Sequence, residues 1–288
     1  VSAVPAGPRT MGEGSALASA LCFGLTDIFA GLLARRVDSA AVALVGQAAG
    51  TALMLAAAPW VFAPDVSATA LGWGALSGVG TGLGAAYLFR VMGIGRFSIV
   101  VPLSVVAGIA LPVLAGVALL DDRPGALAWV GIGTALPALW LTTRSGGMPD
   151  GVAMAGLRPA LVSGAAFALQ YTALAQADTS AGLWPLVVNR AVSALVILPL
   201  VLSRPARLRM RVPFAAASAA TGVVSMAAIT AFALAGREQM LSTTVVLTSM
   251  YPVVPVFWGL TALHERLTRS QVGGLLCAVA TVVLISLE

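Results

Sequence analysis

Ten stretches of roughly twenty apolar residues follow one another along this chain, at about 16–34, 41–62, 68–90, 98–120, 125–143, 157–176, 182–203, 212–235, 241–263 and 270–287. Each has the length a helix needs to cross the hydrocarbon core of a bilayer. The breaks between them are short and polar, as at Arg35-Arg36-Val37-Asp38 and Asp121-Asp122-Arg123-Pro124. Only 9% of the residues are charged, against roughly 25% in a soluble domain. A soluble fold of this size still needs polar cover, so lipid must stand in for water around most of the chain. The fold class expected is an all-α membrane protein of ten transmembrane helices. Residues 1–15, polar and rich in Pro and Gly, are expected to form a disordered tail with no removable signal peptide.

The chain repeats itself. A shift of 143 residues lays Asp121-Asp122-Arg123 on His264-Glu265-Arg266, Pro112 on Pro255, Gly93 on Gly236, Phe89 on Phe232 and Gly131 on Gly274. Two five-span halves follow, 16–143 and 157–288, joined by a connecting loop at 144–156. Five is odd, so the second half enters the membrane from the opposite face. Inverted repeats of this kind mark secondary transporters, with the substrate held between the halves near the midplane. In the third span Gly74, Gly78 and Gly82 recur every four residues, a strip along which another helix can approach closely. No strand precedes it and its register is not that of a nucleotide-binding loop.

Ionisable residues at membrane depth are costly and are functional candidates. Asp27 lies near the middle of the first span, and Arg190 about eight residues into the seventh. At the 143-residue offset Gln47 falls on Arg190; at 144, Thr26-Asp27 falls on Gln170-Tyr171. Asp27, Gln47, Gln170, Tyr171, Asn189 and Arg190 are therefore expected to face one polar cavity between the halves. Tyr87 and Tyr251 are expected to line the path. Two roles are open to Asp27: carrier of a coupling proton, or a neutral carboxyl bonded to a neighbouring helix. Cys22 and Cys277 lie inside apolar spans and read as small buried hydrophobes. No metal-ligand cluster and no nucleotide, metalloprotease or nucleophile-elbow motif is present in the sequence, so neither cofactor, metal nor enzyme activity is expected.

The residues resemble the EamA branch of the drug/metabolite transporter superfamily over nearly the whole chain, from about Ala16 to Leu287. The most specific pieces are Pro255 followed by the turn His264-Glu265-Arg266, and its first-half counterpart Asp121-Asp122-Arg123. His264 and Asp121 stand where the family pattern has Gly, so these turns either avoid the left-handed region or are strained. A narrower resemblance rests on Phe23-Gly24-Leu25-Thr26-Asp27-Ile28, Gln47, Tyr87, Arg90, Gly182-Leu183-Trp184-Pro185 and Arg190. The resemblance implies a carrier of small organic solutes, usually an exporter, without a bound cofactor.

These readings converge on a secondary-active transporter in the plasma membrane, with alternating access between two halves. Its expected partners are a small-molecule substrate and membrane lipids, with no nucleic acid, in a monomer or homodimer. The alternatives are a lipid flippase on the same scaffold or a membrane enzyme acting on lipid. Orientation divides the two lines of argument. Of the sixteen basic residues, all Arg, the termini side holds Arg9, Arg123 and Arg237, the opposite side holds twelve, and Arg190 is left inside a span. The positive-inside rule then puts both termini outside, whereas the family resemblance implies cytoplasmic termini.

Overall fold

A computed structural model of the chain describes residues 9–94, 104, 106, 125–143, 150–203, 209–238 and 251–286. The described residues form α-helices, short 3-10 turns and connecting loops, with no strand. The helices are α1 (Arg9–Ala34), α2 (Ser39–Ala57), α3 (Ala68–Ile94), α4 (Ala126–Thr143), α5 (Asp150–Ala175), α6 (Trp184–Leu202), α7 (Val212–Glu238), α8 (Val253–Thr261) and α9 (Arg269–Ser286). Among them the segments Gly12–Ala34, Ser39–Trp60, Trp184–Leu202 and Val212–Ala231 are long and apolar enough to cross a membrane. Large apolar side chains stand on the outside, with Trp60 88% and Phe62 86% exposed, an outer surface suited to lipid and not to water.

Two helices begin before the apolar spans they carry. α1 begins at Arg9, within the stretch expected to be a disordered tail, and α5 begins at Asp150, within the expected connecting loop. Hydropathy reads the solvent around a helix. Backbone hydrogen bonding reads only whether the next residue can continue it, and neither Arg9–Gly14 nor Asp150–Arg158 contains a proline to stop it. Apart from Ser104 and Val106, the expected span at 98–120 lies outside the described residues, as does the first part of the span at 241–263.

Local signals set several helix starts. The Asp38 carboxylate accepts hydrogen bonds from the backbone N–H groups of Ala40 (3.0 Å) and Ala41 (3.2 Å), capping α2. At α9, Thr268 and Gln271 cap each other: the Gln271 N–H reaches the Thr268 hydroxyl (3.3 Å), and the Thr268 N–H reaches Gln271 Oε1 (3.0 Å). Prolines inside α4, α5 and α6 (Pro137, Pro159, Pro199) are tolerated because neighbouring helices can satisfy the freed carbonyls.

Packing runs across the middle of the sequence. α1 lies on α7, α2 on α6 and α7, α3 on α5 and α6, and α4 on α9. Each pairing joins a helix before residue 144 to one after it. Lipid tails are as apolar as Leu, so helices here associate by close van der Waals fit through small residues. α3 presents two such faces. A Cβ on Gly74, Gly78 or Gly82 would strike the backbone of Pro185, Asn189 or Ser193 of α6; one on Gly80 or Gly84 would strike Ala166 and Gln170, or Phe167, of α5. The strip expected from the sequence is thus the α3–α6 contact, one helical turn per glycine.

The loops gather at two ends. At one, Arg35 Nε donates to the Met92 carbonyl of α3 (3.4 Å), and Arg35 Nη2 lies 3.8 Å from Glu265 Oε1. The turn after α8 is held in a strained form, with His264 at φ 52°. Glycine's absence there leaves a left-handed residue carrying a side chain, the second of the two outcomes the sequence left open. At the other end the Asp65 N–H donates to the Ser180 carbonyl (3.4 Å) and the Ser180 hydroxyl to the Asp65 carbonyl (3.3 Å). Hydrogen bonds from Ser180, backbone first and hydroxyl second, hold the Asp178 carboxyl below its usual range.

The packing account is checked by two alanine substitutions. Gly78→Ala drives a methyl into the Asn189 backbone and is expected to cost about 1–3 kcal/mol. Gly72→Ala on the same helix meets nothing within 4 Å and is expected to be neutral or slightly stabilising. Thermal unfolding in detergent reads both; equal loss in the two variants would contradict the α3–α6 contact.

Candidate functional site

Asp27, Gln47, Gln170, Asn189 and Arg190 are all buried. Gln47 reaches α6 from α2: Arg190 Nη1 donates to Gln47 Oε1 at 2.8 Å. The approach is possible because α2 is thin here, with Gly50 Cα open enough that a Cβ would touch the Arg190 Cδ at 3.8 Å. A guanidinium bonded inside a dry bundle is a strong, directional contact, and its loss leaves a desolvated charge.

Asn189, one residue before Arg190, turns toward α3. Its Nδ2 donates to Ser77 Oγ (2.8 Å) and Thr81 Oγ1 (2.9 Å). The Ser77 hydroxyl donates onward to the Gln170 carbonyl of α5 (2.9 Å), and Thr81 to the Ser77 carbonyl (3.1 Å). Neighbouring residues of α6 therefore tie two different helices: Arg190 holds α2, and Asn189 holds α3 and through it α5. Two buried polar atoms in this region have no hydrogen-bond partner among the described residues, Gln170 Oε1 and Ser193 Oγ. Each such atom costs about 1–3 kcal/mol unless something satisfies it.

Asp27 lies on α1 and, among the described residues, makes no hydrogen bond or ion pair. Phe23, one turn before it, packs its ring against Tyr251 at 6.0 Å. Gly24 gives the closeness: a Cβ there would meet Val254 at 2.5 Å and the Tyr251 carbonyl at 2.9 Å. The buried carboxyl thus sits one turn from the junction of α1 with α8. Tyr87 is half-buried on α3. Tyr171 belongs to α5, but its side chain lies outside the described ones.

The expected residues divide into two groups. Gln47 and Arg190 meet directly. Asn189 and Gln170 meet through Ser77. Asp27 lies on α1 near its contact with α8, where Tyr251 packs against Phe23, and Asp27 makes no hydrogen bond to the others among the described residues. Ser77 and Thr81 were missed by the sequence reading. Their one signal is spacing: four residues apart on the glycine-rich helix, they share a face with the strip that meets α6.

Two of these helix contacts have the same form. The Ser19 hydroxyl of α1 donates to the Ala228 carbonyl of α7 (2.8 Å), and the Ser163 hydroxyl of α5 donates to the Gly84 carbonyl of α3 (2.9 Å). Adding 144 turns Ser19 into Ser163 and Gly84 into Ala228. The close approach of Gly78 to Asn189 resembles that of Gly222 to Gly46, with Gly78 and Gly222 144 residues apart and Gly46 and Asn189 143 apart.

No family model matches the chain, and no curated protein matches it. Nine chains of solved structures do. One, described as "Crystal structure of protein", is 17% identical with a TM-score of 0.52, over 97% of this chain and 98% of that one. At that identity the likeness is one of fold.

The Arg190 bond has a direct test. Gln47→Leu removes the acceptor and is expected to lower stability by about 1.5–3 kcal/mol, whereas Gln47→Glu keeps an acceptor and is expected to stay near wild type. Thermal unfolding of both in detergent checks this; equal destabilisation by Leu and Glu would show that shape, not the hydrogen bond, is what Gln47 supplies.

Proposed function

We propose that the protein is a membrane-spanning secondary transporter of small organic solutes, built as two inverted five-helix halves and resembling the EamA-type drug/metabolite transporters. The observation that carries the reading is the Gln47–Arg190 hydrogen bond, whose partners stand 143 residues apart. That is the offset at which the two halves align. Positions made equivalent by a two-fold axis can touch one another only beside that axis. The bond therefore marks the seam on which the halves would rock, and inverted-repeat carriers place substrate at such a seam. The matched pairs Ser19–Ala228 and Ser163–Gly84 support the same axis.

The unsatisfied Gln170 Oε1 and Ser193 Oγ are the polar contacts offered to a substrate from α5 and α6. Arg190 favours solutes with an anionic group. Asp27, buried and without a partner among the described residues, is the proton carrier of the proposed cycle. Protonation removes the cost of a buried charge in one state, and release to water restores it in another. The twelve-Arg face is the cytoplasmic one in this reading.

The test is solute uptake into proteoliposomes with and without an imposed pH gradient, using a ligand found by thermal-shift screening of amino acids, nucleobases, sugars and cationic drugs. Asp27→Asn is expected to abolish uphill accumulation while leaving exchange measurable, because Asn keeps the size and cannot ionise. Gradient-driven accumulation at the wild-type level would remove Asp27 from the mechanism.

A further inference from the structure

α1 and α7 touch at one end and part at the other. Near the start of α1 the Ser19 hydroxyl bonds the Ala228 carbonyl. Toward the end of α1 the two helices leave a crevice of about 430 Å3. Its α1 wall is Phe29, Leu32, Leu33 and Arg36, and its α7 wall runs from Phe214 to Val224. The walls are almost wholly apolar. The Thr221 hydroxyl already donates to the Ser218 carbonyl at 2.7 Å, which leaves Arg36 as the charged group lining the space. Arg36 is exposed, and among the described residues it has no hydrogen bond or ion pair. Phe29, at the deeper end, is 50% exposed.

We infer that this crevice binds one anionic phospholipid of the surrounding leaflet. The assignment rests on the membrane reading above and on how polarity is ordered along the crevice. Arg36 lies two residues past Ala34, the last residue of α1, at the level of the loops; Phe29 lies more than one turn inside α1 and Val224 about three turns inside α7. A phospholipid has the same order, with its phosphate at the interface and its acyl chain below. A basic residue at the mouth of a groove between spans selects an anionic headgroup over a zwitterionic one. The face itself adds to this choice: Arg209 and Arg211 precede α7 beside Phe214, and both are exposed. A soluble anionic solute fits poorly, because below Arg36 the crevice offers no unmet polar atom. The site is distinct from the buried Gln47–Arg190 seam, and none of the residues expected to bind substrate lines it.

The experiment is native mass spectrometry of the detergent-purified protein titrated with dioleoyl phosphatidylglycerol or dioleoyl phosphatidylcholine. Wild type is expected to retain phosphatidylglycerol in preference. Arg36→Gln, a change at an exposed side chain, is expected to reduce that preference by about fivefold. Ala220→Trp, which fills an exposed part of the crevice wall, is expected to displace both lipids. Arg269→Gln, on the same face outside the crevice, is expected to leave the preference unchanged. An undiminished preference in Arg36→Gln, or equal losses in Arg36→Gln and Arg269→Gln, would overturn the site in favour of a diffuse basic surface. Failure of the membrane reading is separately visible, as protein that stays in the aqueous phase without detergent.

Discussion

The approach of α3 to α6 along Gly74, Gly78 and Gly82 is the contact on which the rest of the interior depends. Helices in lipid gain nothing from hiding apolar surface, so they need backbones close enough for many small attractions and for short polar side chains to bridge them. Three glycines at four-residue spacing bring α3 against Pro185, Asn189 and Ser193. Only at that distance do Ser77 and Thr81 meet the Asn189 amide. The same closeness places α5 against the opposite face of α3, where Ser163 bonds the Gly84 carbonyl. Small residues thus set the spacing, and hydroxyls set the register.

Part of the plan was legible in the sequence, because a membrane helix announces itself by what it lacks. The scarcity of charge pointed to apolar spans, and four of them form helices long and apolar enough to cross a membrane; the residues aligned by the 143-residue offset at Gln47 and Arg190 are joined by a hydrogen bond. Helix ends were less legible. α1 and α5 continue into polar residues at Arg9 and Asp150, since hydrogen bonding along the backbone is indifferent to where the hydrocarbon stops. The partners of Asn189 were barely legible, since their one signal is the four-residue spacing they share with the glycine strip. Serine and threonine are ordinary in membrane helices and can satisfy themselves on the preceding turn, as Thr26 does on the Cys22 carbonyl and Thr51 on the Gln47 carbonyl. Spacing places them on the α6 face but does not tell a bridging hydroxyl from a self-satisfied one.

The two ends of the bundle are closed by different chemistry. Arg35 spans from α1 to the Met92 carbonyl and to Glu265, beside the left-handed His264. The opposite end relies on the exchange of hydrogen bonds between Asp65 and Ser180 and on the turn at Asp178. The Arg35–Glu265 pair joins a partly exposed guanidinium to a buried carboxylate at 3.8 Å, and the loop hydrogen bonds of 3.3–3.4 Å are long. The interior seam at Gln47–Arg190 is shorter and buried. The rocking between two halves proposed above would use a short contact in the middle and longer ones at the ends.

Rocking is the central claim, and distance measurement tests it most directly. Spin labels at Val37 and Leu267 report the end closed by Arg35 and Glu265, and labels at Val66 and Thr179 report the other. In proteoliposomes at acidic and alkaline pH, the account predicts that the two distances change in opposite senses, one end widening as the other narrows. Single, fixed distances at both ends under every condition, or both ends opening together, would contradict alternating access.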